Sequence, residues 1–123
     1  MPTATDVLHD RGRNVVVIAW DDGGRCEYPI PYLRGWCPCA GCQGHGGVVR
    51  FREGYDVRAE AIAEVGAYAL AFRFSDGHDT GIYTWTWLRR LAADVPPEGL
   101  KRGWFADDRF HAEDAPTSGG EIQ

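Results

Sequence analysis

The chain has 123 residues, 44% of them hydrophobic and 12% aromatic, which suits one compact domain and is too short for two. Its formal net charge is −5, and −4 of that lies between Ala106 and Gln123, where five acids meet one base. An acidic chain without a basic face excludes a general nucleic-acid binder, and no apolar run approaches the roughly 20 residues that cross a bilayer.

The opening "MPTATDVLHDRGRN" is polar and lacks the apolar region of a secretory signal, so residues 1–13 read as a weakly ordered lead-in. The expected compartment is the cytoplasm, where thiols stay reduced; four cysteines there point to metal before disulfides. "NVVVIAW" (14–20) is a β-branched run of strand length that ends at the turn signal "DDGG", and "RCEY" (25–28) is its return strand. "PIPYLRGW" (29–36) suits a short helical turn, with prolines tolerated near its start.

The cysteine loop follows, and "VVRF" (48–51) reads as a short edge segment. Residues 57–65 are ambiguous, because alanine and glutamate favour helix while Val57 and Val65 fit either period. "YALAFRF" (68–74) alternates, with Tyr68, Leu70, Phe72 and Phe74 on the expected buried face. "SDGHDTGIY" (75–83) makes a second turn and return strand. "TWTWLRRLAADV" (84–95) is a helix capped by Thr84 or Thr86 and stopped by Pro96 and Pro97. The domain is expected to span 10–105, followed by an acidic, mobile tail over 106–123.

A faint duplication runs through this order. Asp22-Gly23 recurs as Asp76-Gly77, 54 residues on, and Leu33-Arg34 recurs as Leu88-Arg89, 55 residues on. Each copy reads strand, DG turn, strand, helix ending in Leu-Arg. After the DG turn the first copy has Gly24 and the second has His78. The expected fold class is therefore α+β: a small antiparallel-rich sheet with short helices, built on a strand–turn–strand–helix repeat and pinned by a metal.

The metal expectation rests on Cys37-Pro38-Cys39-Ala40-Gly41-Cys42, a C-x-C-x-x-C loop. Tetrahedral zinc takes thiolates readily from tight turns. Gly41 lets the chain bend under an ion, and Pro38 breaks the regular strand that would point Cys37 and Cys39 apart. Three thiolates on a divalent ion leave −1, which suits a neutral imidazole as fourth ligand, with Arg34 placed to soften the remaining charge. Spacing offers His45, while the turn offers His78. A redox thiol pair is disfavoured because the helix precedes the cysteines instead of following them. Cys26, alone in a strand, reads as a small buried hydrophobe, and His9 and His111 as solvated residues. The "HAE" at 111–113 matches a fragment of a non-haem iron motif but lacks its barrel and its second histidine.

Taken together, "WDDG", "Y-L-R-x-x-C-P-C-A-x-C", "V-G-x-Y-A-L" and "F-S-D-G-H-D-T-G-I-Y-T-W-x-W-L-R" resemble the gamma-butyrobetaine hydroxylase-like N-terminal domain over about residues 10–95. In the hydroxylases that domain precedes a 2-oxoglutarate- and iron-dependent oxygenase domain and carries a zinc held by three cysteines and a histidine. The resemblance implies Cys37, Cys39, Cys42 and His78 as metal ligands, and leaves His45 as a loop residue. Similar domains stand alone in bacteria or are joined to ATPases of iron–sulfur assembly; with no oxygenase domain expected here, the hydroxylase chemistry is not expected to transfer. Asp76 and Asp79 read first as turn formers around Gly77, and either is also placed to accept the second imidazole N–H.

Two functions follow as expectations. One is a non-catalytic structural-zinc domain that serves as a protein-interaction or accessory module, its partner an unidentified protein of oxygenase or iron–sulfur assembly pathways. The other is an iron-handling or redox protein holding iron or an iron–sulfur cluster on the same cysteines. Four protein ligands leave no open position on zinc, which favours the first.

Overall fold

The computed structural model describes residues 3–39, 48–79, 81–92, 100–106 and 109–112. Among the described residues, three three-stranded antiparallel sheets and two short helices make a small α+β fold. The first sheet is β1 (Ala4–Asp10), β2 (Val15–Trp20) and β3 (Arg25–Pro29), followed by α1 (Ile30–Gly35). The second is β5 (Ala59–Val65), β6 (Ala69–Phe74) and β7 (Gly81–Thr84), followed by α2 (Trp85–Leu91). Between them β4 (Val49–Arg50) joins β8 (Gly103–Ala106) and β9 (Arg109–Ala112) in the third sheet. No helix among the described residues is long and apolar enough to cross a membrane.

The duplication is real and reaches the hydrogen bonds. Ala4 pairs with Trp20 and, past a bulge, Asp6 with Ala19; Ala59 pairs with Phe74 and, past a matching bulge, Ala61 with Arg73. At the first DG turn Gly23 N–H donates to Trp20 O, and Gly24 N–H to Asp22 Oδ1. At the second, Gly77 N–H donates to Phe74 O, and His78 N–H to Asp76 Oδ1. Gly23 and Gly77 take φ of 90° and 88°, a left-handed conformation that explains a glycine at both turns.

The two copies interlock reciprocally. The Tyr28 hydroxyl of β3 donates to Leu88 O in α2 (2.8 Å), and the Tyr83 hydroxyl of β7 donates to Leu33 O in α1 (2.6 Å). Arg34 of α1 pairs with Asp76 of the second turn (2.9 Å), and Arg89 of α2 pairs with Asp22 of the first (3.3 Å). Neither copy reaches the roughly 40 residues below which isolated chains rarely fold. Their shared core, with Val16, Ile18, Leu33, Leu70, Phe72 and Leu88 all fully buried, therefore forms between them.

Several expectations change. Residues 4–10 form β1 where a weakly ordered lead-in is expected, because the register with β2 supplies partners that the polar sequence does not advertise. Residues 59–65 are strand, since pairing with β6 overrides the helical preference of alanine and glutamate. Tyr68 is 54% exposed at the β5–β6 turn, so the buried alternation begins with Leu70. Thr84 does cap α2, its Oγ1 accepting from Trp87 N–H at 3.0 Å. The helix proper ends at Leu91, and Pro96 and Pro97 lie outside the described residues.

The expected tail also differs where it is described. Ala106 closes β8 and residues 109–112 are β9, because Phe110 finds apolar partners in Trp36 and Phe105, with ring centroids 6.5 and 5.2 Å away. Residues 113–123 lie outside the described residues. Together Phe51, Trp87, Phe105 and Phe110 surround the fully buried Trp36, so the third sheet covers the end of α1 from which the cysteine loop departs.

Candidate metal centre

Cys37 sits two residues past the end of α1, after Trp36 has already left helical geometry. Its N–H donates to Arg34 O (3.2 Å), and its side chain is fully buried. Pro38 then carries the chain to the half-buried Cys39 without a regular strand. His78 comes from the opposite half, on the turn between β6 and β7. Its ring stacks on Phe74 (centroids 6.3 Å, planes 29° apart), and its carbonyl accepts from Phe74 N–H at 2.9 Å.

These three side chains converge. His78 Nε2 lies 3.1 Å from Cys37 Sγ and 3.4 Å from Cys39 Sγ, and the three donor atoms fall within 4.8 Å of one another. A tetrahedral ion with thiolate bonds near 2.3 Å and an imidazole bond near 2.0–2.1 Å places sulfur and nitrogen about 3.5 Å apart. The donors are thus already at close to ligand–ligand separation, and the group could hold a metal ion. Thiolate and imidazole donors suit borderline-soft ions over the hard, oxygen-seeking ones.

The structure brings together Cys37, Cys39 and His78. Cys42 and His45 lie outside the described residues. Cys26 is half-buried on β3 against the core, in keeping with a small apolar residue. His9 is half-buried on β1 and not fully solvated; its pKa is lowered by burial and by Arg11 and Arg58. His111 is exposed and stacks on Trp104 at 5.4 Å.

Two neighbours, Asp76 and Arg34, tie the elements of the centre together. Asp76 accepts the backbone N–H of His78 at Oδ1 (3.0 Å) and Arg34 Nε at Oδ2 (2.9 Å), so it forms the turn, as its place beside Gly77 suggests, and anchors the histidine's main chain. Burial pushes its carboxyl pKa up, but the His78 N–H and Arg34 outweigh this and hold it below the ordinary value. Arg34 itself is buried, its guanidinium 4.1 Å from the centre of the Tyr55 ring and its Nε on Asp76. Gly81 carries no signal in the sequence beyond its type. A Cβ there would fall 3.1 Å from Cys37 Sγ and 2.9 Å from Tyr83 Cε1, so only glycine leaves room for the sulfur against β7.

Comparison with known proteins agrees with this architecture. The family model of the gamma-butyrobetaine hydroxylase-like N-terminal domain matches residues 7–89. A crystal structure of a protein of unknown function of the DUF971 family, from Acidithiobacillus ferrooxidans, is similar at a TM-score of 0.60 and 32% identity, covering 72% of this chain and 90% of that one. Two protein structures solved by NMR are similar at TM-scores of 0.63 and 0.61, with 36% and 29% identity. They cover 75% of this chain in each case, and 70% and 73% of theirs. No curated protein matches the sequence. With more than half of its length matched by one family model, the chain belongs to the gamma-butyrobetaine hydroxylase-like N-terminal family.

Proposed function

We propose that this chain is a non-catalytic metal-binding domain whose ion is a structural zinc held by Cys37, Cys39, Cys42 and His78, and that it acts as an accessory or protein-interaction module. The observation that carries the reading is the convergence of Cys37 and Cys39 from one half with His78 from the other. Cys42 completes the set through its C-x-x-C spacing from Cys39 and through the family resemblance. Three thiolates and an imidazole close the coordination sphere of zinc, which leaves no position for substrate and favours a structural role.

The zinc joins the loop after α1 to the β6–β7 turn, the same two places tied by Arg34 and Asp76. Binding free energy then becomes folding free energy. At a free zinc concentration 100 times Kd the gain is about 2.7 kcal/mol, and at roughly 4 °C per kcal/mol the melting temperature rises by about 10 °C. The test is a thermal melt of reduced protein before and after metal removal by a strong chelator. A fall of that order supports the reading. An unchanged transition in verified metal-free protein contradicts it.

A further inference from the structure

Four contacts around the candidate centre form a closed ring. The Cys37 N–H donates to the Arg34 carbonyl; the Arg34 guanidinium pairs with Asp76 Oδ2; Asp76 Oδ1 accepts the His78 N–H; and His78 Nε2 meets Cys37 Sγ. The other half repeats three of the four. Ala92 N–H donates to Arg89 O (3.2 Å), Arg89 Nη2 pairs with Asp22 Oδ2 (3.3 Å), and Asp22 Oδ1 accepts the Gly24 N–H (2.9 Å). There the chain stops, because the positions equivalent to Cys37 and His78 are Ala92 and Gly24.

We propose that Asp76, together with Arg34, is a positioning residue of the metal centre: it holds the His78 turn against the end of α1, so that the imidazole is presented to Cys37 before an ion binds. The inference rests on the proposed metal-binding reading of the site. Its physical basis is that Asp76 is bonded at once to the element carrying the histidine and to the element carrying the first cysteine. Without the carboxylate both anchors are lost, and the ion must order the turn itself, which lowers affinity. Removing a group that orients a metal ligand commonly weakens binding about 10- to 100-fold.

Asp22 supplies an internal control. It occupies the same turn, caps the same kind of N–H and pairs with the equivalent arginine, but stands beside no ligand pair. The experiment measures zinc affinity by competition with a chromophoric chelator, and metal-free stability by thermal melting, for the parent chain, Asp76→Ala, Asp76→Asn, Asp22→Ala and Asp22→Asn. Both positions are expected to lower metal-free stability. Only Asp76→Ala is expected to weaken zinc by about 10- to 100-fold. Asp76→Asn, which keeps an acceptor for the His78 N–H, is expected to recover part of that loss and carries the comparison if the alanine variant does not fold. Zinc affinity unchanged in both Asp76 variants, or reduced equally by the Asp22 variants, overturns the positioning role. A parent chain that binds no zinc overturns the site and the inference together, so the two failures are distinct.

Discussion

The Tyr28 hydroxyl reaches across the molecule to the carbonyl of Leu88, 60 residues further along the chain, and bonds it at 2.8 Å. The reciprocal bond from Tyr83 to Leu33 spans 50 residues at 2.6 Å, so each half of the duplication closes the helix of the other. Both tyrosines are fully buried, and Leu33 O keeps a second donor in the Trp36 N–H at 3.1 Å. Tyr28→Phe and Tyr83→Phe should each destabilise the fold by about 0.5–1.5 kcal/mol, the net contribution of one buried hydrogen bond. Urea denaturation checks this. Losses below about 0.5 kcal/mol in both variants would mean that the bonds do not hold the halves together.

The same burial predicts the alkaline limit of stability. Tyr32, which donates to Leu91 O at 2.8 Å, has its pKa raised by burial to about 12, and burial raises that of Tyr28 as well. Folding therefore favours the neutral phenols. Their contribution is complete below the ordinary tyrosine pKa of about 10, and is lost as pH rises from there toward the folded value. Stability should be level with respect to these groups up to about pH 10 and should fall above it. Denaturation midpoints measured from pH 8 to 11.5 test this, with Tyr32→Phe expected to reduce the slope.

Phe110 should matter to stability although it lies in a polar stretch of sequence. It packs on Trp36 and Phe105 and is half-buried. Phe110→Ala should cost about 1–2 kcal/mol, somewhat less than the value for a fully buried aromatic, whereas truncation after Ala112 should leave the folded core intact. Chemical denaturation of the two variants compares them directly. A neutral Phe110→Ala would place β9 outside the cooperative unit.

Gly81→Ala tests the packing behind Cys37. The added methyl meets Cys37 Sγ at 3.1 Å and Tyr83 Cε1 at 2.9 Å, so the sulfur or the strand must shift. Overpacking of this kind costs about 1–3 kcal/mol, and it should also weaken metal binding by displacing a donor. Thermal melts with and without metal separate the two effects: a loss of stability that is larger with metal present than without it is expected.

Local chemistry made part of this protein legible in its sequence. The β-branched run at 15–20, both DG turns, the Thr84 cap and the C-x-C-x-x-C loop each carry their signal within a few residues. β1 was hidden because "ATDVLHD" owes its strand to register with β2, and β5 because "AEAIAEV" favours helix until β6 pairs with it. The repeated Asp-Gly and Leu-Arg pairs revealed a likeness between the halves. They did not reveal that each arginine crosses to the other half's aspartate, since similarity fixes equivalence and not contact. Phe110 was hidden for a simpler reason: one aromatic among charges has no period to betray it.

The central claim is that one zinc joins the two halves through His78. The most direct measurement is elemental analysis of untagged protein purified without added metal, made on the parent chain and on His78→Ala and His45→Ala. One zinc per chain is expected in the parent and in His45→Ala, and loss of zinc in His78→Ala. Zinc retained in His78→Ala but lost from His45→Ala, or iron in place of zinc in the parent, would contradict it.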